Sequence, residues 1–86
     1  MRGAAPSRAR LIEFLRTALR NPVLELTDDE SIIRSGLLDS SALFELVFWI
    51  EKHTGAPVDP AAIDVAGEWD TVGSILAFID RQRRRA

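Results

Sequence analysis

Ser40 and His53 are the two side chains in this sequence whose types and settings invite a chemical reading. Ser40 follows Asp39 where an apolar periodicity begins, and His53, the only histidine, lies at the far end of the same periodic stretch. A serine nucleophile needs a base within hydrogen-bond reach, so this placement argues against a Ser-His hydrolase. The chain has no cysteine, hence no thiol nucleophile, disulfide framework or thiolate zinc site. No catalytic constellation can be assembled from what is left. The Ser40 hydroxyl is a usable attachment point once a separate enzyme activates it, while the plain reading of Asp39-Ser40 alone is an ordinary helix cap. A helix start suits an attached anion, because its first N–H groups lack intrahelical partners and carry partial positive charge. His53 reads as a surface residue near a helix C-terminus, where partial positive charge is welcome.

The elements that must position Ser40 are helical by the period of their apolar residues. A first helix is expected from about Ser7 to Leu19, with Leu11, Ile12, Leu15, Ala18 and Leu19 on one stripe and Asn21-Pro22 ending it. A long connection from about Asn21 to Asp39 follows. It is read as a loop pinned to the bundle by Val23, Leu24, Leu26, Ile32, Ile33, Leu37 and Leu38, with Gly36 allowing a turn. The second helix starts at Asp39 or Ser40 and ends near Thr54, with Asp39 as N-cap and Gly55 as the left-handed terminator. Asp64 caps a short turn through Val65–Glu68, and Asp70 or Thr71 caps a last helix carrying Val72, Ile75, Leu76 and Ile79. The fold class is all-α: a small four-helix bundle of three main helices and one short one. Residues 1–6 are assigned to a flexible N-terminus, 7–81 to the domain and 82–86 to an Arg-rich flexible C-terminus.

On the second helix, Leu43, Leu46, Val47 and Ile50 share an arc that must face the core, with Ser40 at its edge. Phe44 and Phe48 continue from Ser40 up the same side, away from the centre of that arc. Such a ridge is either a partner surface or packed against the long connection. Trp49 lies roughly opposite Ser40.

The length of 86 residues allows one domain with a modest core and little room for a deep cleft. The net charge of −2 conceals a segregation. Residues 1–20 hold five arginines against one glutamate, residues 21–80 hold twelve acids against Arg34 and Lys52, and four more arginines follow. The acidic body attracts basic protein surfaces and repels nucleic acid, and the Arg-rich ends read as solubilising, frayed termini. No apolar run suggests a signal peptide or a membrane span, so a cytoplasmic monomer is the expectation, and the starting Met favours a free-standing chain.

The run Ser35-Gly36-Leu37-Leu38-Asp39-Ser40, with Leu43, Glu45-Leu46-Val47, Ile50-Glu51 and Gly55 after it, resembles the phosphopantetheine site of acyl carrier proteins. Trp69-Asp70-Thr71-Val72 is similar to the Phe/Trp-Asp-Thr segment of the same family, and the resemblance spans roughly residues 8–80. It implies a non-enzymatic carrier whose Ser40 receives a covalent 4'-phosphopantetheine arm from coenzyme A. A phosphopantetheinyl transferase performs that step, and the arm's thiol holds an acyl or aminoacyl thioester. It also implies partners: an acyl- or aminoacyl-activating ligase and downstream transfer enzymes. For their docking, the second helix offers Asp39, Phe44, Glu45, Phe48 and Glu51; for Glu45 and Glu51 a solvated helix face is the plain alternative. Ser41 stands where the family usually has Leu or Met, and Ser41 as the modified residue is the weaker rival to Ser40. Glu68-Trp69-Asp70-Thr71 resembles D-alanyl and standalone aminoacyl carriers more than fatty-acid carriers, which points to an amino-acid-activating or specialised-metabolite pathway. The reading from another class is a non-catalytic helical module for protein interaction or nucleic-acid binding.

Overall fold

The computed structural model describes residues 6–85, so the expectation for residues 1–5 of the N-terminus and for Ala86 lies outside the described residues. Four helices follow in order: α1 (Arg8–Ala18), α2 (Ser40–Thr54), α3 (Val65–Glu68) and α4 (Val72–Arg85). Among the described residues there is no strand, as an all-α chain requires.

Each helix start is set by a short polar side chain. Ser7 Oγ accepts the Arg10 N–H, Asp39 Oδ1 accepts the Ala42 N–H at 2.8 Å, and Asp64 Oδ1 accepts the Gly67 N–H. Thr71, rather than Asp70, starts α4. The Thr71 N–H donates to Ser74 Oγ and the Ser74 N–H to Thr71 Oγ1, both at 3.0 Å, a reciprocal capping pair. The ends are equally local. Gly55 closes α2 at φ 74°, its N–H donating to the Glu51 carbonyl. Helix α1 ends before Asn21-Pro22 is reached: Arg20 turns left-handed at φ 54° and the Asn21 N–H bonds back to the Arg16 carbonyl.

Helix α4 packs against all three other helices. The core joins Leu11, Ile12 and Leu15 of α1, Ala42, Leu46, Val47 and Ile50 of α2, and Trp69, Val72, Ile75, Phe78 and Ile79 around α4. Helices α1 and α2 meet through aromatic rings: Phe14 stacks on Trp49 with centroids 5.3 Å apart, and Trp49 in turn covers His53 at 4.4 Å. The side of α2 opposite Ser40 thus packs half-buried against α1.

Leu24, Leu26 and Ile32 pin the long connection in the core, with Ile33 and Leu38 half-buried. Val23 and Leu37 do not serve as anchors; they are exposed, and polar contacts hold the chain around them instead. Arg8 forms an ion pair with Asp28 and donates to the Leu26 carbonyl, and Arg16 Nε donates to the Leu24 carbonyl at 2.8 Å. These arginines of α1 are clamps rather than solubilising fray. Gly73 lets the connection touch α4: its N–H donates to the Asp28 carbonyl at 3.0 Å, and a Cβ there would sit 3.1 Å from that same oxygen.

At the other end, α4 runs on to Arg85, four residues beyond the boundary expected at 81. Arg84 pairs with Asp80 one turn back, and Arg83 Nη1 donates to the His53 carbonyl at 2.7 Å, tying the end of α4 to the end of α2.

Candidate functional site

The chain has six serines, and hydrogen bonds sort them. Ser7 and Ser74 are committed to helix starts, and Ser31 and Ser35 to the turn before α2. Only the hydroxyls of Ser40 and Ser41 make no such bond among the described residues, and both side chains are exposed. Ser40 is the first residue of α2, so its own N–H and that of Ser41 point out of the helix start unpaired. Asp39 is occupied: its Oδ1 takes the Ala42 N–H. A phosphodiester on Ser40 would therefore meet free backbone donors and the positive end of the α2 dipole, with solvent around the hydroxyl for an approaching enzyme. The residues present fit that group.

Ser41 lines an open groove of about 460 Å³ between the end of α1 and the start of α2, with Leu19, Arg20, Leu37, Asp39 and Glu45. Ser40 is not part of that groove. His53 sits thirteen residues up α2, about 20 Å away at a rise of about 1.5 Å per residue, and no Ser-His pair forms.

Leading into Ser40 is a closed turn. The Gly36 N–H donates to the Ile33 carbonyl with Gly36 at φ 80°, and the Leu38 N–H donates to the Ile32 carbonyl at 3.1 Å. Asp70, from the far end of the chain, sits at its base. Its Oδ1 accepts Ser31 Oγ at 2.8 Å, the Ile33 N–H at 3.0 Å and the Arg34 N–H at 2.8 Å, while its carbonyl accepts the Ile32 N–H at 2.6 Å. The Arg34 N–H foremost, then the Ser31 hydroxyl and the Ile33 N–H, hold this carboxyl below its ordinary value against the opposing effect of burial.

Phe44 is 60% exposed and Phe48 67% exposed, so the alternative that they pack against the connection does not hold. They form an apolar ridge next to Ser40, with exposed Glu45 beside them. Glu51 differs from Glu45: its Oε2 accepts the Val58 N–H at 2.7 Å and secures the loop after α2. His53 also departs from expectation. Desolvation first, then the charges of Lys52, Arg83 and Arg10, lower its pKa from 6.5, so a positive charge is disfavoured there despite the helix C-terminus.

Trp69-Asp70-Thr71 turns out to be three folding roles in sequence. Trp69 is fully buried against Phe78 with rings at 81°, Asp70 ties down the turn and Thr71 starts α4. Sequence reading missed the roles of Asp70, Arg8 and Arg16; the signal available was a carboxylate placed between a core Trp and a helix-starting Thr.

No helix among the described residues is long and apolar enough to cross a membrane. The family model described as phosphopantetheine attachment site matches residues 9–79. No curated protein and no solved structure matches the chain.

Proposed function

Because the chain belongs to the phosphopantetheine attachment-site family of acyl carrier proteins, we propose that Ser40 carries the arm and that the exposed face of α2 presents it to partner enzymes. Members of this family are non-catalytic carriers that hold 4'-phosphopantetheine covalently and work with a phosphopantetheinyl transferase and further partner enzymes. When bound, the arm supplies the thiol on which an acyl or aminoacyl group travels, a sulfur that this cysteine-free chain lacks.

The single observation that carries the assignment is the exposed Ser40 hydroxyl at the first position of α2, uncommitted where four other serines are engaged. The chain's own contribution is presentation. Asp39 fixes where the helix begins, the unpaired N–H groups of the first turn favour the phosphodiester charge, and Leu46, Val47 and Ile50 hold α2 in the core. Phe44, Phe48, Glu45 and Asp39 then form a docking face suited to a partner with an apolar recess rimmed by basic side chains. Glu51 supports that face through Val58.

Intact mass spectrometry tests the assignment. The purified chain, coenzyme A, magnesium and a broad-specificity transferase should give one phosphopantetheine adduct on wild type and on Ser41→Ala, and none on Ser40→Ala. An adduct that survives Ser40→Ala and disappears in Ser41→Ala would move the site by one residue. Absence of any adduct on wild type would reject the reading. Loading of the modified chain by candidate acyl or aminoacyl ligases then identifies the cargo class.

A further inference from the structure

We propose that Asp70 is a positioning residue of the attachment site: from thirty residues away in sequence, it holds the turn that delivers Ser40 to the transferase. This rests on the assignment of the arm to Ser40.

The long connection is held in two separate halves. The first half, around Leu24 to Asp28, is tied down by Arg16, Arg8 and the Gly73 N–H. None of these bonds reaches beyond Asp28. The second half, the one continuous with Ser40, is held at its base by Asp70 through four hydrogen bonds, three to one carboxylate oxygen and one to the carbonyl. The path from there to the site is short and unbroken. The Asp70 carboxylate takes the N–H groups of Ile33 and Arg34, and its carbonyl takes that of Ile32; the Ile33 carbonyl takes the Gly36 N–H and the Ile32 carbonyl the Leu38 N–H; Leu38 adjoins Asp39, whose side chain sets the start of α2. Gly36 at φ 80° closes the turn between them.

Two features separate positioning from general support of the fold. Residues 34–37 are exposed, so their backbone groups can turn to water when the carboxylate is removed, and the turn can open without unfolding the bundle. The rest of the bundle has its own anchors, since Ile32 is in the core and α4 is started by Thr71 and Ser74 without the Asp70 side chain. Loss of the carboxylate should therefore loosen the approach to Ser40 and leave the helices in place.

Amide hydrogen exchange and transferase kinetics test this together, on the full chain. Asp70→Ala should accelerate exchange at Ile33, Arg34, Gly36 and Leu38 by about tenfold, the factor that one lost charge-assisted hydrogen bond carries, with the interior amides of α2 and α4 less affected. The KM of the transferase for the carrier should rise by a similar factor of about ten, with kcat little changed. Asp70→Asn, which retains an accepting oxygen, should recover most of both effects. Ile79→Val, a core change nine residues further along α4, serves as the stability control and should leave the KM alone. The proposal is overturned if exchange at Leu38 is unchanged in Asp70→Ala, if the KM rises no more than in Ile79→Val, or if Asp70→Asn recovers nothing. Exchange is read on the unmodified chain. A wild-type chain that takes no arm at Ser40 would thus remove the premise in a way distinct from these outcomes.

Discussion

Truncating Phe44 and Phe48 to alanine separates a docking ridge from ordinary packing, because the two roles put the cost in different measurements. The rings are 60% and 67% exposed. With about 200 Å² of surface each, roughly 120–130 Å² per ring lies in water, and covering it at about 25 cal/mol per Å² is worth about 3 kcal/mol per ring. That is a ceiling. Ordering and imperfect desolvation reduce it, so each truncation should weaken a partner by about 1–2 kcal/mol, roughly five- to thirtyfold in KM or Kd. The folding side is smaller. About 70 Å² of each ring is already buried, worth about 2 kcal/mol, and alanine's better helix propensity returns about 0.5 kcal/mol. After discounting for residual burial in the unfolded chain, a loss of about 1 kcal/mol remains, a fall of roughly 4–8 °C in Tm for a domain this size. A Phe packed in a core would instead cost about 3–5 kcal/mol. Thermal unfolding gives the first quantity and transfer or ligase kinetics on the arm-bearing chain give the second. A collapse of Tm to the core value would refute the exposed placement. Unchanged kinetics with every partner that accepts the carrier would refute the docking role.

Other perturbations probe the frame around the site. The Trp69 indole N–H finds no acceptor among the described residues, an omission worth about 1–3 kcal/mol. Trp69→Phe removes that donor but leaves a void of about 40 Å³ costing about 1 kcal/mol, so its stability in denaturant should stay within about 1 kcal/mol of wild type, whereas Trp69→Ala loses about 3–5 kcal/mol. A phenylalanine variant as weak as the alanine one would mean that the indole nitrogen is bonded. At Gly36 a Cβ would meet no atom within 4 Å, so Gly36→Ala should cost only the left-handed backbone, about 1 kcal/mol by thermal melting. No loss there would contradict the positive φ. His53 has a lowered pKa, so the unfolded chain protonates first as pH falls through 6.5 and stability should decline below that point. Tm measured from pH 7.5 to 5 should slope accordingly and flatten in His53→Gln; a rise on acidification contradicts the cationic surroundings. For Asp70 the native form binds its proton less readily than the unfolded one, so its contribution is complete above 3.8 and fades as pH drops below that value. Asp70→Asn should lose this acid dependence.

What the sequence by itself determined is the local part of the molecule. Asp39, Asp64 and Gly55 announce their ends of α2 and α3 because a cap needs only a side chain and an amide within three or four residues. The apolar period of α1 and α2 names Leu11, Leu15, Leu46 and Ile50 as core for the same short-range reason. Ser40 was legible as a candidate site because it stands at such a start and the motif around it is contiguous. Tertiary structure decided the rest, where the partner lies far along the chain. Whether Phe44 and Phe48 are covered depends on where the connection runs, and it runs elsewhere. Arg8, Arg16 and Asp70 become clamps through bonds spanning 8 to 39 residues, which no periodicity encodes. Charge at His53 is set first by desolvation in the assembled bundle, then by Lys52 on its own helix and by Arg83 and Arg10, which α4 and α1 bring near it. Hydrogen bonds and helical period act over a few residues and can be read in order. Burial and electrostatics sum over whatever the fold brings near, so only the assembled bundle shows which side chains are held and which face out.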